Sequence, residues 1–564
     1  MKFNDYVYFR PDAELIAADL DRLTEAFARA KSAEEQLLFL DRINRIRNQF
    51  TTLYNLCYIR HSIDTKDAFY TAENEFFDSY LPVFESRVHS FYRALLESRF
   101  RDALEAKLGH QLFALAEMQV RSFDPAIIPD MVDENRLTSQ YMQLKAKARL
   151  EVDGQVYNLS SITALEEGRD RQLRQRATDA KWGFYAGHRQ QVEDIFGRLT
   201  ELRTRMARKL GLNSFIPLGY MRINRADYTA DDVAQFREAV RRHIVPLATK
   251  LYERQRRRIG VDRLRYYDLT YRFPSGNPRP KDDAQTIVAN TAKMYRELSE
   301  PTGRFFDFMR EHQLLDVEAK DGKATGGYCT FIPNYGSPFI FSNFNGTSGD
   351  IVVMTHEAGH AFQVYSSRRQ VVPEYYWPTY EAAEIHSMSM EFFTFPWMEL
   401  FFEQADKYRY AHIIDAMTFI PYGVAVDAFQ HEVYRRAASG PLPDFNAIWR
   451  EVQAEYMPYY DPAGNVFLEA GGMWQRQNHI FRTPFYYIDY TLAQMCAFQF
   501  FFRAQEDRAA AWQDYVRLCE AGGSASFLEL VQLAGLESPF DENVIARIAQ
   551  RTEAYLEQID DSAF

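Results

Sequence analysis

The pentapeptide His356-Glu357-Ala358-Gly359-His360 carries the residues with the clearest potential for chemistry. Its two histidines are four residues apart, so on a helix both imidazoles lie on one face, about one turn from each other. Two neutral imidazoles at that separation can hold one Zn²⁺ ion. Glu357 lies beside them, where a carboxylate can take a proton from a metal-activated water. The pattern predicts a zinc site with hydrolytic chemistry.

The residues around the pentapeptide favour a buried helix. Gly349 and Asp350 suit its start, and an apolar run, Ile351 to Met354, precedes the first histidine. The competing interpretation is a surface helix with two unpaired histidines, but buried histidines need partners and the apolar flanks indicate burial. Since Ala358 and Gly359 are small, we expect a neighbouring element to approach the helix closely at that point.

A third metal ligand is expected downstream, on a helix that begins at about Thr379. This helix carries Glu381, Glu384 and Glu391. Glu384 follows the second histidine by 24 residues, enough for one helix, a bend and the first turns of another. Glu384 and Glu391 are seven residues apart and share a face, so one can ligate while the other supports a ligating histidine. For Glu381 we expect a solvated charge.

The stretch from Gly349 to Glu391 resembles the thimet oligopeptidase and oligoendopeptidase F family of zinc metallopeptidases. That family has a Glu-x-x-Ser-x-x-x-Glu pattern after the zinc helix, which matches here at Glu384, Ser387 and Glu391. The resemblance implies one zinc ion per chain with His356, His360 and Glu384 as its ligands. It also implies that Glu357 is the general base and that Glu391 supports a ligand from behind.

A second family feature is a histidine followed by a tyrosine-rich helix that faces the zinc. Here His479 precedes Tyr486, Tyr487 and Tyr490. Pro484 stands where the thimet-like branch has another tyrosine, and the spacing from His479 differs by about one residue. The sequence therefore leaves open which tyrosine stabilises the transition state, with His479 as a further candidate donor. From spacing alone, a cluster of core aromatics would be the simpler interpretation.

The coarse pattern is mainly helical. Long amphipathic segments fill the first 200 residues, interrupted by a β-hairpin signal at Leu150 to Tyr157, after which Thr163 and Glu166 resemble a capping box. Short aromatic and β-branched runs, Tyr328 to Ile332 and Phe339 to Phe344, predict strands. The resemblance implies two helical lobes around a long substrate channel, with a small sheet beside the zinc helix. We assign residues 1–200 to an N-terminal helical lobe and 201–564 to the catalytic region.

The first of these strands is a candidate for substrate binding. An extended peptide could pair with the main chain of Gly327, Tyr328 and Cys329 at a free edge. An ordinary core strand is an equally good interpretation of the same residues.

Composition excludes several classes of partner. The chain of 564 residues has a net charge of −12, which argues against nucleic acid and against anionic membranes. Its four cysteines lack metal-binding spacing and are expected to be free thiols. The polar N-terminus lacks the apolar stretch of a signal peptide, so a cytoplasmic location is expected.

The combined expectation is a zinc metallo-oligoendopeptidase that cuts internal bonds of short peptides. The resemblance extends to Pz-peptidases, which act on collagen-type fragments rich in proline and glycine. The alternatives are a zinc exopeptidase of the same fold and a non-catalytic helical scaffold that binds peptides. The sequence does not distinguish a monomer from a homodimer.

Overall fold

The structure, a computed structural model, describes residues 1–564 and is dominated by helices. The helices are α1 Ala13–Arg29, α2 Ala33–Ile63, α3 Ala68–Leu96, α4 Arg101–Leu108, α5 His110–Arg121, α6 Ile128–Ala146, α7 Thr163–Glu166, α8 Arg171–Gly187, α9 Arg189–Lys209, α10 Phe215–Arg222, α11 Ala230–Arg258, α12 Ala284–Leu298, α13 Glu300–Glu311, α14 Gly349–Ser367, α15 Tyr380–Phe393, α16 Ala405–Ser439, α17 Phe445–Tyr456, α18 Val466–Glu469, α19 Asn478–Arg482, α20 Tyr487–Glu506, α21 Arg508–Ala521, α22 Phe527–Leu533 and α23 Glu542–Glu557. The strands are β1 Leu150–Val152, β2 Gln155–Tyr157, β3 Leu315–Glu318, β4 Tyr328–Ile332 and β5 Ser337–Phe344.

Helices α1 to α5 form a lobe with its own hydrophobic core. Local chemistry sets where they begin: the side chains of Asp12, Ser32 and Asp67 accept hydrogen bonds from backbone N–H groups in the first turns of α1, α2 and α3. The core holds 22 buried residues and includes Val372 and Tyr375, which follow helix α14. The lobe is therefore packed directly against the segment that leads into α15.

The second and larger core contains 116 buried residues and is built mainly by the elements from α6 onward. Helices α14, α15, α16 and α20 lie within it, so the elements that carry the site are held by the largest packed body of the molecule. The expected architecture, mainly α with two helical lobes, is confirmed. The division at residue 200 stays a prediction.

Two small sheets interrupt the helices. The predicted hairpin is confirmed as the antiparallel pair β1 and β2. The second sheet has the order β3-β5-β4, with β3 parallel and β4 antiparallel to β5. Both predicted strands beside the metal helix are present, whereas β3 was not anticipated because its sequence continues the polar-apolar pattern of α13.

The capping box predicted at Thr163 is wrong. Thr163 lies inside α7, a helix of four residues whose N-cap is Ile162 and which has no side-chain cap. The next long helix, α8, is instead capped by Asp170, whose carboxylate accepts from the backbone N–H groups of Gln172 and Leu173. Long apolar helices suited to crossing a bilayer are not found in this structure.

Candidate metal centre

The site is built where α14 and α15 cross. Gly359 of α14 lies so close to α15 that a Cβ atom there would be 2.7 Å from the Ser387 Cα and 2.8 Å from the His386 carbonyl oxygen. Only a glycine permits this approach. The close approach expected from the small residues Ala358 and Gly359 is therefore present. It places the histidine face of α14 directly over the first two turns of α15.

Three donor atoms converge at this crossing. One atom each from His356, His360 and Glu384 lie within 4.8 Å of one another. Glu384 Oε2 is 3.3 Å from Nε2 of each histidine. The histidine side chains are 18% and 13% exposed, while that of Glu384 is 1% exposed. The two imidazoles are thus partly accessible to solvent, and the carboxylate behind them is fully buried. Two imidazoles and one carboxylate form a donor set that suits a divalent metal ion.

Glu391 supports the first histidine. Its Oε1 lies 2.6 Å from His356 Nδ1, so in the neutral ring the proton is held on Nδ1 and the Nε2 lone pair is available to a metal. The other oxygen, Oε2, lies 2.9 Å from His412 Nε2 of α16. His412 was not anticipated, because nothing in the sequence of α16 marks it. Burial opposes ionisation of Glu391, but the two histidines keep the pKa of its carboxyl below the usual value.

The carboxylate of Glu384 is fixed by two hydroxyl groups. Ser387, three residues later on α15, donates to Oε2 over 2.9 Å, which explains the serine of the Glu-x-x-Ser pattern. The Tyr486 hydroxyl donates to Oε1. Burial alone would raise the pKa of Glu384, yet the adjacent His360 and His356 hold it well below the usual range. The residue is therefore ionised and ready to ligate.

Glu357 projects beside the donor set without a hydrogen-bonding partner in the chain. Burial raises the pKa of its carboxyl, and the positive potential of His356 and His360 offsets part of that rise. A raised pKa suits a group that must take up and return a proton near neutral pH. A Cβ atom on Gly327 would lie 3.7 Å from Glu357 Oε1, so the start of β4 passes next to this carboxylate.

Strand β4 has a free edge. It pairs only with β5, and the pair Phe331↔Pro338 lacks an N–H on the proline side. The Phe331 carbonyl points away from β5 and accepts from Asn55 Nδ2 of α2 over 2.6 Å. Because backbone groups in a strand alternate in direction, those of Cys329 point to the same free edge. Gly327 lies immediately before the strand. The Tyr328 ring stacks on Phe341 behind that edge, with centroids 4.9 Å apart.

A directed chain of hydrogen bonds ends at Tyr490. Tyr422 lies 2.8 Å from Gln477 Oε1 and donates to it. The amide nitrogen of Gln477 donates to His479 Nδ1 over 2.6 Å, so the proton of the neutral imidazole is on Nε2. His479 Nε2 lies 3.2 Å from the Tyr490 oxygen and donates to it. The hydroxyl proton of Tyr490 is then free for another acceptor. Burial and the nearby Arg482 lower the pKa of His479 to about 3, so the ring is neutral at neutral pH.

The tyrosine cluster is compact. The ring of Tyr487 packs on His479 and Tyr490, with centroids 4.9 and 5.5 Å away. Tyr486 and Tyr490 are 5.0 Å apart. The structure thus brings together His479 and all three candidate tyrosines, and Tyr486 contacts Glu384 directly.

The start of the tyrosine helix α20 is held in an unusual backbone conformation. Phe485 has a φ of +68°, which is costly for a residue with a side chain. Its N–H donates to Gln430 Oε1 over 2.8 Å, and its carbonyl accepts from Arg225 over 2.6 Å. Arg225 also forms a fully buried ion pair with Asp489 of α20. These contacts, none signalled by a sequence motif, fix the position of the neighbouring Tyr486.

The expected solvated charge at Glu381 is wrong. Its side chain is buried, and neither carboxylate oxygen has a hydrogen-bonding partner. Burial, reinforced by the nearby Asp489, raises the pKa of this carboxyl. Since every residue of α15 from Glu381 to Phe393 is buried, none of the charged side chains of this helix extends into solvent.

Two family profiles match the chain: the peptidase M3 N-terminal domain over residues 3–123, and peptidase family M3 over residues 164–550. The chain belongs to peptidase family M3. The resemblance seen in the sequence is thereby confirmed, and this M3 member is a metallopeptidase.

Solved structures extend the likeness over the whole M3 chain. A Pz peptidase A determined with an inhibitor is 51% identical over 100% of both chains, with a TM-score of 0.98. A Bacillus anthracis protein described as an oligoendopeptidase F is 49% identical over 100% of this chain and 99% of its own, with a TM-score of 0.93. An oligoendopeptidase F homologue from Borreliella burgdorferi is 21% identical over 300 residues. That match covers 52% of this chain, which spans about half the length of that relative (50%).

Proposed function

We propose that this protein is a zinc-dependent oligoendopeptidase that hydrolyses internal bonds of short peptides. The observation that carries the proposal is the convergence of His356 Nε2, His360 Nε2 and a Glu384 oxygen within 4.8 Å. In a tetrahedral zinc site with bonds of about 2.0–2.1 Å, ligand atoms are separated by about 3.3 Å. The distances from Glu384 Oε2 to His356 Nε2 and to His360 Nε2, both 3.3 Å, match that spacing.

The proposed roles follow from the contacts. His356, His360 and Glu384 hold the metal, and Glu391 orients His356. A zinc ion bound there supplies Lewis-acid chemistry, polarising a carbonyl oxygen and lowering the pKa of a water molecule. Glu357 accepts a proton from the attacking water and passes it to the leaving amine.

The oxyanion is proposed to be stabilised by Tyr490. Its hydroxyl proton is free because its oxygen accepts from His479 Nε2, and a donor aimed at developing charge is among the strongest catalytic devices. Tyr486 is proposed to orient Glu384, and Tyr487 to pack the cluster. His479 acts by holding Tyr490 in the donating orientation.

The substrate is proposed to bind along β4. The free edge at Gly327 and Cys329 runs beside Glu357. A peptide paired there would therefore lay its backbone across the site. Main-chain pairing recognises short peptides with little dependence on side chains. The likeness to a Pz peptidase A supports collagen-type fragments rich in proline and glycine as one substrate class.

The location and assembly are also proposals. All four cysteines are free thiols, which favours a reducing, cytoplasmic compartment. The chain is proposed to act as a monomer or a homodimer, without nucleic acid or membrane partners, as its net charge of −12 suggests.

A peptide blocked at both ends tests this function. We expect cleavage at an internal bond, measured by mass spectrometry of the products, with Glu357→Gln as the matched control that binds but does not cut. Cleavage of free-ended peptides alone would favour the exopeptidase alternative. No cleavage of any peptide by metal-loaded protein would favour the non-catalytic scaffold.

A further inference from the structure

A cavity of about 360 Å³ adjoins the tyrosine cluster. Phe419 and Tyr422 of α16 line it, and their rings also pack on Tyr487 with centroids 5.7 and 5.8 Å away. Ser348, the residue before the metal helix α14, forms another part of the wall. The cavity therefore lies between the tyrosine cluster and the start of α14.

Arg476 lines this cavity and has no acidic side chain as a partner. Its guanidinium group lies 4.8 Å from the centre of the Tyr422 ring and 5.8 Å from that of Trp182. The one hydrogen bond of its side chain runs from Nε to the Tyr422 hydroxyl, over 3.2 Å. Nη1 and Nη2 have no hydrogen-bonding partner, and no carboxylate lies within ion-pair distance. A half-buried guanidinium in aromatic surroundings is a strong site for a carboxylate, which its planar fork can bind with two hydrogen bonds.

The other charges of the cavity are already balanced. Lys181 pairs with Glu166 over 2.8 Å, and Arg272 pairs with Asp415. Burial and the nearby Asp415 raise the pKa of Glu167 to about 7, so this carboxyl is largely uncharged at slightly acidic pH. At slightly acidic pH, the unbalanced charge of the cavity is therefore the positive charge of Arg476.

We propose that Arg476 binds a carboxylate of the peptide substrate in this cavity, and so sets how far from that carboxylate the chain is cut. This inference rests on the proposed peptidase function. The terminal carboxylate is the one anion that every unblocked peptide carries, and an acidic side chain offers the same chemistry. Occupation of the site is linked to the proposed catalytic donor, because Arg476 donates to Tyr422, which begins the hydrogen-bond chain through Gln477 to His479 and Tyr490.

Matched peptides test the proposal. One pair differs only in a free or amidated C-terminus, and a second, amidated pair carries Glu or Gln at the same position after the cleaved bond. We expect the wild-type enzyme to favour the carboxylate member of at least one pair by about 10- to 100-fold in kcat/KM, mainly through KM, as for a charge-assisted hydrogen bond. The pair that responds identifies the source of the carboxylate. In the responding pair, adding one residue before that carboxylate should move the cut by one bond.

Variants of the arginine complete the test. Arg476→Gln should bring the preference in the responding pair close to one, and Arg476→Lys should restore part of it. The control Arg22→Gln, at a side chain that is 67% exposed, should keep the wild-type preference. Wild-type enzyme that cuts both members of both pairs equally well would overturn the inference and leave the peptidase function intact. An Arg476→Gln variant that loses activity while keeping the preference would also overturn it, and would assign Arg476 to holding Tyr422.

Discussion

Tyr486 and Tyr490 are neighbours in space with different partners. The Tyr486 hydroxyl donates to the carboxylate of Glu384, whereas the Tyr490 oxygen lies 3.2 Å from His479 Nε2. The proposed roles are to orient a metal ligand for Tyr486 and to donate to the oxyanion for Tyr490, so removal of each hydroxyl should have a different effect.

The two phenylalanine variants separate these roles. We expect Tyr490→Phe to lower kcat by about 10²- to 10³-fold with metal content unchanged, as for loss of an oxyanion donor. Tyr486→Phe should instead weaken metal affinity by about 10- to 100-fold, as for loss of a group that orients a ligand. Steady-state kinetics together with metal titration measures both quantities. The opposite pattern would exchange the two assignments.

The buried carboxyl of Glu381 makes a prediction for pH. Its pKa is raised in the folded protein, so the folded state binds its proton more tightly than the unfolded state does. Its contribution to stability is therefore fully present below the ordinary glutamate pKa of 4.5 and is lost as the pH rises through the raised value. Glu381→Gln, which mimics the neutral form, should gain stability over the wild type with rising pH. Thermal unfolding of both proteins from about pH 5 to about pH 9 checks this; a constant difference in Tm would contradict it.

At the scale of elements, the crossing of α14 and α15 is the feature that the sequence predicted best. Three sequence features predicted which residues share a face of these helices. They are the His-Glu-x-x-His spacing, the small residue Gly359 and the seven-residue interval from Glu384 to Glu391. What the sequence did not contain is the support around that crossing. The contacts of His412, Gln477 and Arg225 come from segments far apart in the sequence, and no local pattern encodes which buried polar groups will meet.

A single methyl group tests the crossing. Gly359→Ala would place a Cβ atom 2.7 Å from the backbone of α15, so we expect a loss of about 1–3 kcal/mol in stability and weaker metal binding. Gly183→Ala is the matched control: it lies inside helix α8 with nothing within 4 Å of its Cβ, and alanine there should be neutral or slightly stabilising. Denaturant unfolding and metal titration of both variants measure the effect. Equal behaviour of the two would show that the approach of the helices does not matter.

At the scale of the whole molecule, the site lies where two helical lobes meet. Helix α2 of the N-terminal lobe reaches the free edge of β4 through Asn55, and Tyr58 lies 5.1 Å from the Tyr328 ring. A substrate that pairs with β4 as proposed would therefore lie next to both lobes, and the proposed function predicts that a folded domain is excluded from that position.

This arrangement predicts selection by size. A cleavable peptide should be cut when free in solution but resist when the same sequence lies within a loop of a stable folded protein. Product analysis by mass spectrometry, before and after unfolding of the carrier protein, makes the comparison. Rapid cleavage of the loop in the folded carrier would contradict a channel between the lobes.

The central claim is that His356, His360 and Glu384 hold a catalytic zinc ion beside the base Glu357. The most direct measurement is the metal content and peptidase activity of purified wild-type, Glu384→Gln and Glu357→Gln proteins. We expect about one zinc ion per wild-type chain, loss of zinc and activity in Glu384→Gln, and retained zinc with activity lowered by at least about 10²-fold in Glu357→Gln. Wild-type protein that is active without bound metal, or a fully active Glu357→Gln variant, would contradict the account.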